Sequence, residues 1–114
     1  MAHTVEIKLP SDQNSNPVQV LSWDQSTSVK IGTVTTTSAN VALNAAIGDG
    51  DVVRIACTID AYLAWGFGSA ATATSSNPLF TSGVEYMRVP DGATHISALR
   101  AGSADGVLCV TKCV

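Results

Sequence analysis

The residues able to do chemistry in this chain are few: two histidines, three cysteines and a set of aspartates in glycine-rich turns. Catalysis needs a nucleophile with a base in reach, a pair of carboxylates or a metal site. His3 lies in a terminal stretch, and His95 sits in a strand-like stretch where it is expected to face solvent or make a structural hydrogen bond. Cys57 with His95 is the pairing that would make a nucleophile, yet no local nucleophile motif surrounds either residue. Cys109 and Cys113 would supply two zinc ligands, at a spacing unlike that of zinc fingers, where four are needed. On one strand their Cα atoms would stand ~13 Å apart, beyond the ~7 Å limit of a disulfide. Reduced thiols that behave as small hydrophobes are therefore expected.

Asp49, Asp51, Asp91 and Asp105 sit beside glycines. Such turns can hold calcium, which takes about six to eight oxygen ligands, but aspartate next to glycine is first of all turn chemistry. The pairs Gly48/Gly50 and Gly66/Gly68 lack the third glycine, the lysine and the strand-to-helix setting of a phosphate loop. The expectation is a protein without catalytic residues, cofactor or metal.

What remains is aromatic and apolar. Trp23, Tyr62, Trp65, Phe67, Phe80 and Tyr86 could stack on a sugar, or serve as core and interface anchors. Residues 66–83 read as a long loop of small residues that carries Phe67, Leu79 and Phe80, with Trp65 just before it. A loop longer than ~15 residues is uncommon in a compact domain and usually functional. Trp65, Phe67, Leu79 and Phe80 are thus the expected partner contact, unless the domain's own core covers them.

The elements that must position these residues read as short strands. Val5, Ile7 and Leu9 alternate with Glu6 and Lys8, the period of a half-buried strand. Pro10 and the polar run 11–17 end it, and residues 18–23 form a second strand. Residues 29–37 are rich in β-branched side chains, which favour a pleated surface. Residues 39–47 alternate as a strand, although the same run could wind a short helix; without a clear cap, the strand is favoured. From Val53 through Ile55, Cys57, Ile59, Ala61, Leu63 and Trp65 every second residue is apolar, with a turn placed near Asp60. Val53, Ile55, Ile59 and Leu63 are the expected core. Strands over 84–89, 94–101 and 106–112 close the chain. About eight or nine strands with regular turns predict an all-β antiparallel sandwich of jelly-roll kind.

Composition bounds the rest. The 114 residues make one domain, 1–114, with 46% hydrophobic and only 13% charged residues. A charged share near half the usual ~25% fits a protein whose surface is largely covered in an assembly, the alternative being a weakly charged monomer kept soluble by hydroxyls and amides. The net charge is −3 and the six basic residues are scattered. Nucleic-acid binding, which needs a clustered cationic footprint, is disfavoured. No apolar run approaches the ~20 residues of a membrane span. The N-terminus has neither the basic start nor the apolar core of a signal peptide, so a protein made in a cytoplasm is expected.

The second half of the chain carries a resemblance. Its residues are Val-Val-Arg-Ile at 52–55, Ala-Tyr-Leu-Ala-Trp-Gly at 61–66, Ala-Thr-Ala-Thr at 71–74 and Asn-Pro-Leu-Phe at 77–80. Gly-Val-Glu-Tyr at 83–86, Val-Pro-Asp-Gly at 89–92, Ile-Ser-Ala-Leu at 96–99 and Ala-Gly-Ser-Ala-Asp-Gly-Val at 101–107 complete it. In these loose turn-and-strand patterns, over residues 40–112, the chain resembles small all-β virion proteins of tailed bacteriophages, the capsid decoration or cement proteins among them. The resemblance implies a structural role in the virion, assembled in the host cytoplasm. The implied partners are the major capsid protein or another virion protein, and further copies of the chain itself. It equally leaves open a tail or neck protein with a receptor- or carbohydrate-binding sandwich.

Overall fold

The computed structural model describes residues 22–114. The strand expected over 5–9, the loop at 10–17, His3 and most of the strand expected over 18–23 lie outside the described residues.

Among the described residues eight strands follow in order: β1 (Val29–Val34), β2 (Ala39–Ala42), β3 (Val52–Cys57), β4 (Ala61–Phe67), β5 (Leu79–Phe80), β6 (Gly83–Arg88), β7 (Ala93–Arg100) and β8 (Gly106–Lys112). They build two four-stranded sheets, ordered β1-β8-β3-β6 and β2-β7-β4-β5. Each strand of the first half pairs antiparallel with its mirror in the second: β1 with β8, β2 with β7, β3 with β6 and β4 with β5. A long two-stranded ribbon rolled up so that β8 also meets β3 and β7 also meets β4 gives this order, which is that of a jelly roll. The all-β sandwich read from the sequence is the fold.

Every inner position is set by the pleat. Val53, Ile55 and Cys57 face inward from β3, opposite Leu108 and Val110 of β8; Ile96 and Ala98 face them from β7. Of the expected core residues, Val53 and Ile55 are fully buried, while Ile59 and Leu63 are half-buried at its margin.

The run 53–65 proves to be two strands in different sheets, joined by residues 58–60. Strand structure in 39–47 stops at Ala42, because Asn44 turns the chain: its side chain accepts from the Ala46 N–H, and its carbonyl from the Ile47 N–H. Residues 66–83 are not one loop, since β4 runs through Phe67 and β5 interrupts the stretch at Leu79–Phe80.

The aspartates serve the turns. Asp49 accepts from the Gly92 N–H (2.8 Å), tying two turns together, and Asp105 pairs with Arg100 (2.6 Å). Asp51 accepts from the Gly48 N–H (2.7 Å) and lies 3.4 Å from the Lys112 ammonium. Gly50 and Gly92 hold φ of +76° and +82°, the left-handed backbone that these Asp-Gly turns require.

Candidate functional site

The two edges of the sandwich differ, and the difference begins at Pro78. On the β5 side of β4, Ala61 faces Phe80, and the Leu63 N–H donates to the Pro78 carbonyl (3.1 Å). A proline has no N–H to return, so Pro78 cannot donate to the Leu63 carbonyl and the ladder stops there. Upstream, the chain leaves the edge. Asn77 closes a turn on Thr74 through its backbone N–H (3.0 Å), and its side chain accepts from the Thr74 N–H (2.7 Å). Residues 71–73 then cross the outer face of the β2-β7-β4-β5 sheet. The Ser97 hydroxyl donates to the Ala71 carbonyl, and the Ala73 N–H donates to the Ser38 hydroxyl (2.8 Å). Gly66 permits this crossing, because a Cβ there would collide with the Ser69 carbonyl oxygen.

β4 therefore continues from Leu63 to Phe67 with β7 on one side and, among the described residues, no strand on the other. Beneath that edge, between β4 and the opposing edge strand β6, lies an open cleft of about 430 Å³. Its apolar floor and walls include Leu63, Trp65, Phe80, Met87 and Ile96. Among the described residues Glu85 is the one charged side chain of the lining; it stands opposite Ile55 across the β3–β6 ladder and so points inward. Phe67 and Leu79, 58% and 54% exposed, form the lip.

Trp65, Phe67, Leu79 and Phe80, expected from the sequence as one contact, all line this cleft. They do so in different ways. Phe67 and Leu79 are exposed and Trp65 is half-buried, but Phe80 belongs to the core at 4% exposure. Phe80 is corrected from a surface anchor to the plug of the cleft's inner end, because its pairing with Ala61 turns it inward. Met87, Ile96 and Glu85 were missed. They reach the cleft from strands distant in sequence, and only the alternation of β6 and β7 hinted at an inner face.

A second exposed group lies on the outer face of the other sheet. Arg54 stands opposite Tyr86, and Trp23 covers the Arg54 guanidinium at 5.6 Å from its ring centroid, within cation–π range. Backbone bonds of Ser22 with Val114 and of Asp24 with Lys112 hold Trp23 there. Trp23 and Tyr86 are both more than half exposed.

The remaining chemistry-bearing residues do not converge. Cys57 faces the core from β3, whereas His95 sits on the outer face of the other sheet with its Nδ1 2.8 Å from the Thr94 hydroxyl. Cys57, Cys109 and Cys113 are free thiols; burial raises the Cys113 thiol above its ordinary value, against a smaller lowering by the Arg54 charge. The Asp51 carboxylate is held below its ordinary value, chiefly by the Gly48 N–H and then by Lys112. Among the described residues no three histidines, cysteines or carboxylates gather as a metal site. The chain matches no protein-family model, no curated protein and no solved structure.

Proposed function

We propose that this chain is a non-enzymatic virion structural protein of a tailed bacteriophage, a decoration or cement protein that binds the capsid as a small homo-oligomer. The observation that carries the reading is the lip of the cleft. Phe67 and Leu79 stand more than half exposed above an apolar hollow, on a chain with only 13% charged residues. Contiguous exposed apolar surface rimmed by polar groups marks a place where another protein docks. The jelly-roll order, used by many capsid domains, supports it, as does the resemblance read from the sequence over residues 40–112. A fold alone assigns no function, so the weight rests on the lip.

A receptor- or carbohydrate-binding role at the neck or tail is the second reading, favoured by Trp23 and Tyr86 flanking Arg54 on an exposed sheet face. Two experiments separate them. Co-sedimentation with the capsids encoded beside its gene is expected for a cement protein, and a monomer without capsid affinity would refute that role. Glycan binding abolished by Trp23→Ala with the fold intact would favour the second.

A further inference from the structure

The register of the β1-β8-β3-β6 sheet fixes what stands on its outer face. Ile31, Val53, Ile55, Leu108 and Val110 belong to the core, so the residues that alternate with them face out. Lys30 lies opposite Cys109, which lies opposite Ala56. Arg54 stands two residues along β3 from Ala56 and opposite Tyr86, and Arg88 two residues along β6 from Tyr86. With strands ~4.8 Å apart and alternate residues ~6.8 Å along each, the three cations form a diagonal with steps of about 12 and 8 Å. Glu85, the acidic residue of these four strands, alternates to the inner side. Arg100 and Lys112 pair with Asp105 and Asp51 instead. A chain of net charge −3 thus gathers three positive charges on one sheet face, where the four strands place no carboxylate.

The central cation is held for use. Trp23 stacks over the Arg54 guanidinium at 5.6 Å, which leaves the in-plane N–H groups at the guanidinium's edge. That fork takes a carboxylate through two parallel hydrogen bonds. Tyr86, 55% exposed beside it, offers an apolar ring with a hydroxyl tip. A sugar ring that carries a carboxylate suits the pair, with its C–H face on the aromatic ring and its acid on Arg54. The steps between the cations are wider than the ~3.4 Å rise between phosphates along one nucleic-acid strand. In an acidic glycan at least one sugar ring separates successive acids, which fits the wider spacing.

We propose that this face binds an acidic glycan, one with carboxylates on its sugar rings: Arg54 holds a carboxylate, Tyr86 and Trp23 pack against the rings, and Lys30 and Arg88 meet acids further along. The proposal names the ligand class of the carbohydrate-binding reading and rests on that reading. It involves the opposite sheet from the Phe67–Leu79 lip, so its test needs no particle.

The full chain is applied to an array of uronate- and sialate-bearing glycans printed beside their neutral methyl esters, with oligothymidylate and polyglutamate as further probes. Binding to acidic glycans, lost on their esters and weakened by salt, is the expected result. Arg54→Ala should lower affinity about tenfold or more at an unchanged melting temperature, and Arg54→Lys, which keeps the charge without the fork, should also weaken it. Lys30→Ala, at an exposed corner, carries the test if Arg54→Ala fails to fold, and Leu79→Ala should change nothing. Equal binding of acids and esters overturns the proposal while leaving the carbohydrate reading standing. Binding of no glycan at all overturns both. Tighter binding of oligothymidylate or polyglutamate would assign the face to a nucleic acid or an acidic peptide and overturn the proposal as well.

Discussion

The β1–β2 side and the β5–β6 side of this sandwich are built from the same strand pattern and end differently. At the first, Ile31 and Val34 are buried and the connection from β1 is fastened by the Arg100 N–H donating to the Thr35 carbonyl (3.0 Å). At the second, one proline stops the ladder, the connecting chain is captured on the outer face, and apolar side chains are left around a cleft. Closure of a jelly roll is thus decided locally. Among the described residues, a missing N–H at Pro78 and a close approach over Gly66 leave the edge of β4 open above the cleft.

The largest effect should fall on the residue that divides core from cleft. Phe80→Ala is expected to cost about 3–5 kcal/mol, and Ile55→Ala about 2–5 kcal/mol, by denaturant unfolding. Leu79→Ala, one residue away on the lip, should stay within about 0.5 kcal/mol of the native chain. Equal losses at 79 and 80 would mean that the lip is packed as core and that the contrast between the two sides is false.

Gly66→Ala comes next. The new methyl would meet the Ser69 carbonyl, the Ala71 N–H and His95, two of the three being backbone. Overpacking of this kind costs about 1–3 kcal/mol. Faster proteolysis within residues 68–78 should accompany it, because the strap formed by residues 69–73 across the outer face would lift from its sheet. A variant with native stability and an unchanged cleavage pattern would show that the strap is not held by this approach.

A smaller effect is expected on the closed framework. The Asp51 carboxylate is stabilised in the fold by the Gly48 N–H and by Lys112, so its folded value lies below the ordinary 3.8. A depressed carboxylate contributes stability that is present above its unfolded value and is lost as pH falls through the folded one. Native protein should therefore lose this contribution only below about pH 4. Asp51→Asn should flatten that acid limb of a melting-temperature profile. An identical acid limb in the two proteins would contradict the role given to Asp51.

How much of this was legible in the sequence follows from what alternation can and cannot encode. β8 was readable to its ends, because Gly106 and the apolar positions Leu108 and Val110 bound a strand with turns on either side. The break at 58–60 was legible only as a turn. Odd-numbered residues from Val53 to Trp65 stay apolar across it, since both sheets turn the same parity toward one core, so the change of sheet leaves no mark on the pattern. The division between Leu79 and Phe80 was illegible for a related reason. A two-residue strand has no periodicity, and only the pairing of Phe80 with Ala61 fixes which side chain turns inward. The cleft itself depends on Glu85, Met87 and Ile96 arriving from other strands, and single-sequence spacing does not carry that.

The proposed role as a capsid-binding module through the lip meets its most direct test in a single paired measurement on Phe67→Ala: thermal stability and affinity for capsids encoded beside the gene. Truncating a central aromatic anchor commonly costs about 2 kcal/mol of binding, roughly thirtyfold in affinity. The expected result is an unchanged melting temperature with affinity reduced by that order. Native capsid affinity in a stable Phe67→Ala protein would contradict the role given to the lip, and a loss of stability in step with binding would return Phe67 to the fold of its own domain.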